Sequence, residues 1–146
     1  NLIEHILEFA EQGKPILGIC LGMQLLFDYS TEGGDIKGLG LIKGKVQKFP
    51  ETLGEKIPSV AWKSLKIKTS PLFEGIKSEE EFYFVHSYYC KPDNDNHTIA
   101  YAGFGEMQYC AMVQSKNIFG TQFHPEKSHE NGLNLIRNFL KYSYEK

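Results

Sequence analysis

The stretch Pro15-Ile16-Leu17-Gly18-Ile19-Cys20 runs without any linker into Leu21-Gly22-Met23-Gln24-Leu25-Leu26-Phe27. A short continuous apolar run of this kind reads as a strand of a parallel sheet, covered on both faces. The residues from Leu21 to Phe27 carry a helical apolar stripe. Ahead of the strand, Leu2, Ile3, Ile6, Leu7, Phe9 and Ala10 recur at helical spacing, and Gly13 is a natural helix stop. Helix, strand, sharp turn and helix in that order is the grammar of an α/β fold.

The remainder predicts a partly antiparallel second half. Residues 31–40 form a glycine-rich loop. From Leu41 to Phe49, Ile42, Val46 and Phe49 alternate with Lys43, Lys45 and Lys48, the pattern of a half-exposed strand that pairs with a later one. Ile57–Trp62 and Ser64–Ile67 are further strands, and Pro71–Ile76 is a short helical turn. Glu81–Tyr89 is an aromatic-rich strand. The cluster 92–96 is a turn. Thr98–Ala102, Tyr109–Gln114 and Ile118–Gln122 are three more strands. Asn131–Tyr142 is a closing amphipathic helix with Leu133, Leu135, Ile136, Phe139 and Leu140 inward. All 146 residues read as one domain.

Cys20 stands between Gly18 and Gly22 at the point where strand becomes helix. That is the arrangement of a nucleophile elbow, in which flanking glycines allow a tight approach of strand and helix. The turn lifts the side chain towards a cleft. It also sets the sulfur at a helix N-terminus, where free N–H groups favour a thiolate. The N–H of Leu21 is then an oxyanion donor. The competing reading is a small thiol packed in the core. A nucleophilic thiol needs a base, and the base an orienting acceptor. Of His5, His86, His97, His124 and His129, only His124 directly follows a strand, and Glu126 lies two residues on. Ligands of a parallel sheet sit beyond the C-terminal strand ends, which is where Cys20 and His124 would both lie. His5 and His97 read as solvated, His129 as lying near an exposed helix start, and His86 as a residue lining the substrate side or packed in the core.

Composition narrows the classes. The net charge is −2, with no clustered excess of Lys or Arg, so no nucleic-acid footprint is present. No apolar stretch approaches the ~18 residues of a membrane helix. Three widely spaced cysteines, Cys20, Cys90 and Cys110, argue against a disulfide framework and for a reducing compartment, the cytoplasm. No pair has zinc-ligand spacing, and neither metal nor cofactor is expected.

Together, GICLGMQ at 18–24, FYFVHSYY at 82–89 and FGTQFHPEKS at 119–128 resemble the class I, triad-type glutamine amidotransferases. More narrowly they resemble the glutaminase subunits of imidazole glycerol phosphate synthases. The resemblance implies a three-layer, flavodoxin-like α/β fold with a mixed sheet, here without the N-terminal strands that relatives carry. It implies Cys20 as nucleophile, His124 as general base and acid, and Glu126 as the orienting carboxylate. Leu21 would supply one oxyanion N–H, while Gly22, Gln24, Ser87 and Tyr88 would hold L-glutamine. Trp62, Tyr83 and Lys127 would face a partner, a (β/α)8-barrel cyclase joined in a heterodimer, into which ammonia passes through a channel. Relatives have a further N-terminal segment that supplies a second oxyanion donor. Residues 1–146 are therefore expected to be an N-terminally shortened glutaminase domain with weak or no activity alone.

One segment departs from the family pattern Pro-His-x-Gly-Trp-Asn, since here it reads Pro58-Ser59-Val60-Ala61-Trp62-Lys63. Only the proline and tryptophan match. Two alternatives therefore stand beside ammonia supply to a cyclase: a paralogous subunit serving amidination of a surface sugar, and a stand-alone cysteine hydrolase of the same fold. A non-catalytic interaction module is the third class.

Overall fold

The computed structural model describes residues 1–146. Helix α1 (Leu2–Glu11) opens on Asn1, whose side chain accepts from the Ile3 N–H at 3.1 Å. It ends before Gly13, which takes a left-handed φ of 75°. Strand β1 (Ile16–Ile19) follows and turns directly into α2 (Leu21–Leu25). This helix is shorter than its apolar stripe. The carbonyls of Leu25, Leu26 and Phe27 accept instead from Leu39, Leu41 and Gly40 of the glycine-rich loop, so Phe27 opens strand β2 (Phe27–Ser30).

Strands β3 (Ile36–Lys37), β4 (Ile42–Lys48), β5 (Ser59–Ser64), β6 (Lys66–Ile67), β7 (Glu81–His86), β8 (Tyr88–Pro92), β9 (Thr98–Phe104), β10 (Met107–Ser115) and β11 (Ile118–Thr121) come next, and helix α3 (His129–Tyr144) closes the chain. Nine strands make one mixed sheet with the main order β1-β11-β10-β8-β4-β2-β3, and β9 pairs β10 and β6. The β1–β11 and β2–β4 pairs are parallel and the others antiparallel. β5 and β7 form a separate antiparallel pair.

Three expectations are corrected here. Strand β1 is covered less than a fully enclosed strand would be: it lies at the sheet edge, and only Gly18 of its four residues is buried. The aromatic strand 81–89 is two strands in two sheets, broken at Ser87. Phe82, Phe84 and His86 bury alternate positions of β7, whereas β8 buries the adjacent residues Tyr89 and Cys90, so the simple alternation ends at the break. In α3, Leu135 is fully buried while Leu133 and Leu140 are 42% and 50% exposed, so the inward stripe is narrower than the sequence pattern implied.

The larger core gathers around Phe49, stacked on Phe104 at 4.0 Å between ring centroids and flanked by Tyr89, Tyr109 and His86. A smaller apolar cluster around Met23, Phe27, Ile42 and Val46 underlies α2 and β4. No helix is long and apolar enough to cross a membrane.

Candidate active site

The parallel pairing of β1 with β11 places Ile19 beside Thr121, so Cys20 and the residues after Thr121 emerge at the same end of the sheet. The Cys20 N–H donates to the Thr121 carbonyl at 2.7 Å. Its backbone then takes φ 53° and ψ −105°, a region that ordinary residues avoid. This is the strained elbow that the sequence implied. Gly18 makes it feasible, because a Cβ there would lie 2.5 Å from the Gly22 carbonyl oxygen. Gly22 itself carries no such constraint: a Cβ there would meet open space.

His124 begins the turn Pro125–Lys127. Its backbone is held on both sides. The N–H donates to the Tyr83 carbonyl at 2.9 Å, and the carbonyl accepts from Ser128 Oγ at 2.6 Å. The Ser128 hydroxyl also accepts from the Tyr83 N–H at 2.9 Å, so one buried side chain clamps the turn onto β7. The His124 ring meets Glu126 Oε1 through Nδ1 at 2.5 Å, which in the neutral ring places the proton on Nδ1 and leaves Nε2 as an acceptor.

The nucleophile's own partners differ from the expected set. The sulfur accepts, at 3.7 Å, from the side-chain amide of Gln122, and the neighbouring Leu21 N–H favours its charged form. Its side-chain hydrogen bond thus comes from Gln122, and it makes none with His124 in the resting site; catalytic contacts of this kind often tighten only with substrate bound. Burial raises the Cys20 thiol above the ordinary value. The Leu21 N–H, the Gln122 amide and the Lys127 ammonium offset this in part, and the Glu126 carboxylate adds to it. The expectation that the elbow favours thiolate is therefore reversed at rest, because desolvation outweighs donors at the head of a helix of only five residues.

Gln24 sits on the first turns of α2. Its Nε2 donates to the Tyr88 carbonyl and to Gln122 Oε1, both at 3.2 Å. A cleft of about 190 Å³ is lined by Leu21, Gln24, Tyr29, Ser30, Glu32 and Lys37 among others, while Cys20, Ser87 and Tyr88 do not line it. Gly22 borders a different surface, an apolar groove shared with Ile6, Phe9, Gly18, Leu25 and Leu39. Ser87 contributes its carbonyl to the Phe49 N–H at 3.0 Å, and Tyr88 stands half-buried at the start of β8. Gln122, which donates to Cys20, and Ser128, which holds the His124 turn, escaped the sequence reading. A polar residue inside the apolar run IFGTQF was the signal for Gln122.

His86 is neither lining nor a simple core residue. It is 7% exposed; its Nδ1–H donates to the Tyr88 carbonyl at 2.7 Å, and Nε2 accepts from the Tyr109 hydroxyl at 3.2 Å. Burial lowers its pKa to about 4, so the ring is neutral. The unfolded chain takes up this proton near pH 6.5, whereas the folded chain takes it up only near 4. Stability from this group is therefore complete above the unfolded value and is lost as pH falls between the two. A loss of about 3 kcal/mol is expected across that window, and His86→Gln flattens it. Urea unfolding at stepped acid pH checks this; equal slopes in both proteins refute it.

Trp62 and Tyr83 lie side by side on the outward face of the β5–β7 pair, with ring centroids 5.6 Å apart, and Trp62 stacks on His129 at 4.8 Å. Lys127 is exposed on the His124 turn. The departing residues of the 58–63 segment face the other way. Lys63 Nζ donates to Ser59 Oγ at 2.9 Å and to the Gly103 carbonyl at 2.6 Å, and lies over the Phe84, Phe104 and Tyr109 rings.

A strained cysteine on a strand–helix elbow and a His–Glu pair leaving the same end of a parallel strand pair form a candidate site for cysteine-based hydrolysis in an α/β fold. The fold resembles a solved glutamine amidotransferase, with TM-score 0.69 and 17% identity over 97% of this chain and 68% of that one. It also resembles a glutamine amidotransferase from Thermotoga maritima, with TM-score 0.61 and 16% identity over 98% and 54%. The family model for class-I glutamine amidotransferase matches residues 1–142. The imidazole glycerol phosphate synthase subunit HisH of Sulfurimonas denitrificans is 51% identical, over 97% of this chain and 70% of that protein. The subunit of the same name from Methanocaldococcus jannaschii is 48% identical, over 96% and 70%. The chain belongs to the class I glutamine amidotransferase family and, within it, to the HisH subunits of imidazole glycerol phosphate synthase.

Proposed function

We propose that this chain hydrolyses L-glutamine through a thioester on Cys20 and supplies the ammonia to a cyclase that forms imidazole glycerol phosphate in histidine biosynthesis. The observation that carries the reading is that the elbow cysteine and the segment bearing the His124–Glu126 pair emerge at one end of the sheet, with the Gln24 amide linked to Cys20 through Gln122, in a chain 51% identical to a HisH subunit.

The chemistry follows from the residues. The Cys20 thiolate attacks the side-chain amide carbon of glutamine, and the Leu21 N–H stands ready for the developing oxyanion. The C–N bond breaks while His124 passes a proton to the departing ammonia. Water, deprotonated by the same imidazole, cleaves the thioester to glutamate and restores the thiol. Gln24, Ser87 and Tyr88 hold the substrate, whereas Gly22 borders the separate apolar groove and is not assigned to that wall.

The partner reading rests on β5. Val60 and Trp62 stand outward, 56% and 40% exposed, whereas Ser59 and Lys63 turn into the molecule. The departures from the family segment at 59 and 63 thus fall on the inner face and leave the aromatic outer face in place. That favours a (β/α)8-barrel cyclase, bound as a heterodimer in the cytoplasm through Trp62, Tyr83 and Lys127, over a sugar-modifying acceptor. Mixing the chain with such a cyclase should make product formation depend on glutamine, and Trp62→Ala should weaken the complex at least ten-fold. Product formed only from added ammonium salt, with no complex in sedimentation, refutes the reading.

A further inference from the structure

The orientation of the Gln122 amide follows from its neighbours without reference to how its oxygen and nitrogen were assigned. The Tyr88 carbonyl can only accept, so the end of the Gln24 amide that faces it, at 3.2 Å, is the NH2. The same NH2 lies 3.2 Å from Gln122, so the end of Gln122 that faces it is the oxygen. The NH2 of Gln122 is then directed at Cys20 Sγ, 3.7 Å away. His86 reinforces the origin of this chain, because its Nδ1–H donates to the same Tyr88 carbonyl.

We propose that Gln122 is a further catalytic residue, an N–H donor that steadies the Cys20 sulfur as it takes on negative charge before attack. The role as catalyst rests on the glutaminase reading; the donor geometry does not. Gln122 is completely buried, and its backbone N–H is already satisfied by the Ala111 carbonyl at 2.8 Å. A glutamine serving only to fill space would be replaceable by an apolar residue of similar shape. Here the amide spends its oxygen on Gln24 and its nitrogen on the nucleophile, so the two ends do different work. Burial already disfavours the thiolate, and the Gln122 amide is one of the groups that offset this. The donor is the first residue after β11, and the same segment carries the catalytic base two residues further on. One strand end therefore supplies both the anion stabiliser and the proton acceptor.

The test is alkylation of Cys20 by iodoacetamide across neutral and alkaline pH in the 146-residue chain, followed by mass spectrometry of the Cys20 peptide. The reagent is neutral and reads the thiolate fraction. It does not involve glutamine. Gln122→Met, which removes the donor and keeps the shape, is expected to raise the midpoint by about one pH unit, which is about ten-fold slower alkylation below it. Gln122→Glu adds a charge in place of the donor and is expected to raise it further. If Gln122→Glu fails to fold, Gln122→Met carries the test, with a thermal melt to show that it is native. An unshifted midpoint in folded Gln122→Met overturns the inference. In that case unchanged glutamine hydrolysis by the wild type leaves the glutaminase reading standing, so the two failures are separable.

Discussion

Cys20→Ser abolishes covalent capture of a glutamine-like diazoketone and lowers glutamine turnover by roughly 10⁴-fold or more. The size of the effect comes from the sulfur. A thiol at this site ionises with difficulty, because burial raises it, yet it still reaches the thiolate with help from the Leu21 N–H, the Gln122 amide and Lys127. A serine hydroxyl starts several pH units further from ionisation, and the same donors cannot close that gap. It would depend wholly on His124, whose hydrogen bond goes to Glu126 rather than to the nucleophile at rest. The other thiols cannot substitute: Cys90 and Cys110 are 1% and 5% exposed, and burial pushes Cys110 up to about 12. Intact-mass measurement after reaction with 6-diazo-5-oxo-norleucine reads the result. The wild type gains one adduct, mapped to Cys20, and the variant gains none. An adduct of equal yield on Cys20→Ser would move the nucleophile elsewhere and remove the thioester from the mechanism.

The residues proposed to carry this chemistry were legible in the sequence because their signals are local. The elbow needs only an apolar strand, Gly18 and a helix start, all within ten residues. His124 and Glu126 are two positions apart, and the strand before them is unmistakable in composition. What was not legible depended on pairing at long range. The stripe after Cys20 reads as a longer helix until the glycine-rich loop takes the carbonyls of Leu25, Leu26 and Phe27. FYFVHSYY reads as one strand until β5 claims its first part and β4 and β10 its second. Ser59 and Lys63 read as changes to an outer surface until the pleat of β5 turns them inward. Gln122 is the clearest case. Its partner on the nucleophile is 102 residues away, and its orientation is set through Gln24 by a carbonyl on β8. No window of sequence contains that information.

Gly132→Ala tests how far the catalytic turn depends on the helix behind it. Alanine is intrinsically favoured over glycine in a helix by up to about 1 kcal/mol, so the sign of the effect is decided by contact. A Cβ at position 132 would lie 1.8 Å from the Pro125 carbonyl oxygen and 2.6 Å from its carbon. Both are backbone atoms that no rotamer change can clear. Either the first turn of α3 retreats by more than 1 Å, or the turn Pro125–Lys127 does. Both routes strain the Ser128 clamp, since Gly132 donates its N–H to the Ser128 carbonyl at 3.1 Å while the Ser128 hydroxyl holds His124 and Tyr83. The expected cost is about 1–3 kcal/mol of stability. Displacing His124 and Glu126 by about 1 Å is expected to slow diazoketone capture by up to about 10²-fold. Gly103→Ala is the matched control, because a Cβ there meets nothing within 4 Å. Thermal melts and capture rates on the two variants distinguish the outcomes. Loss in Gly132→Ala alone supports the dependence of the triad on the approach of α3, and wild-type values in both variants refute it.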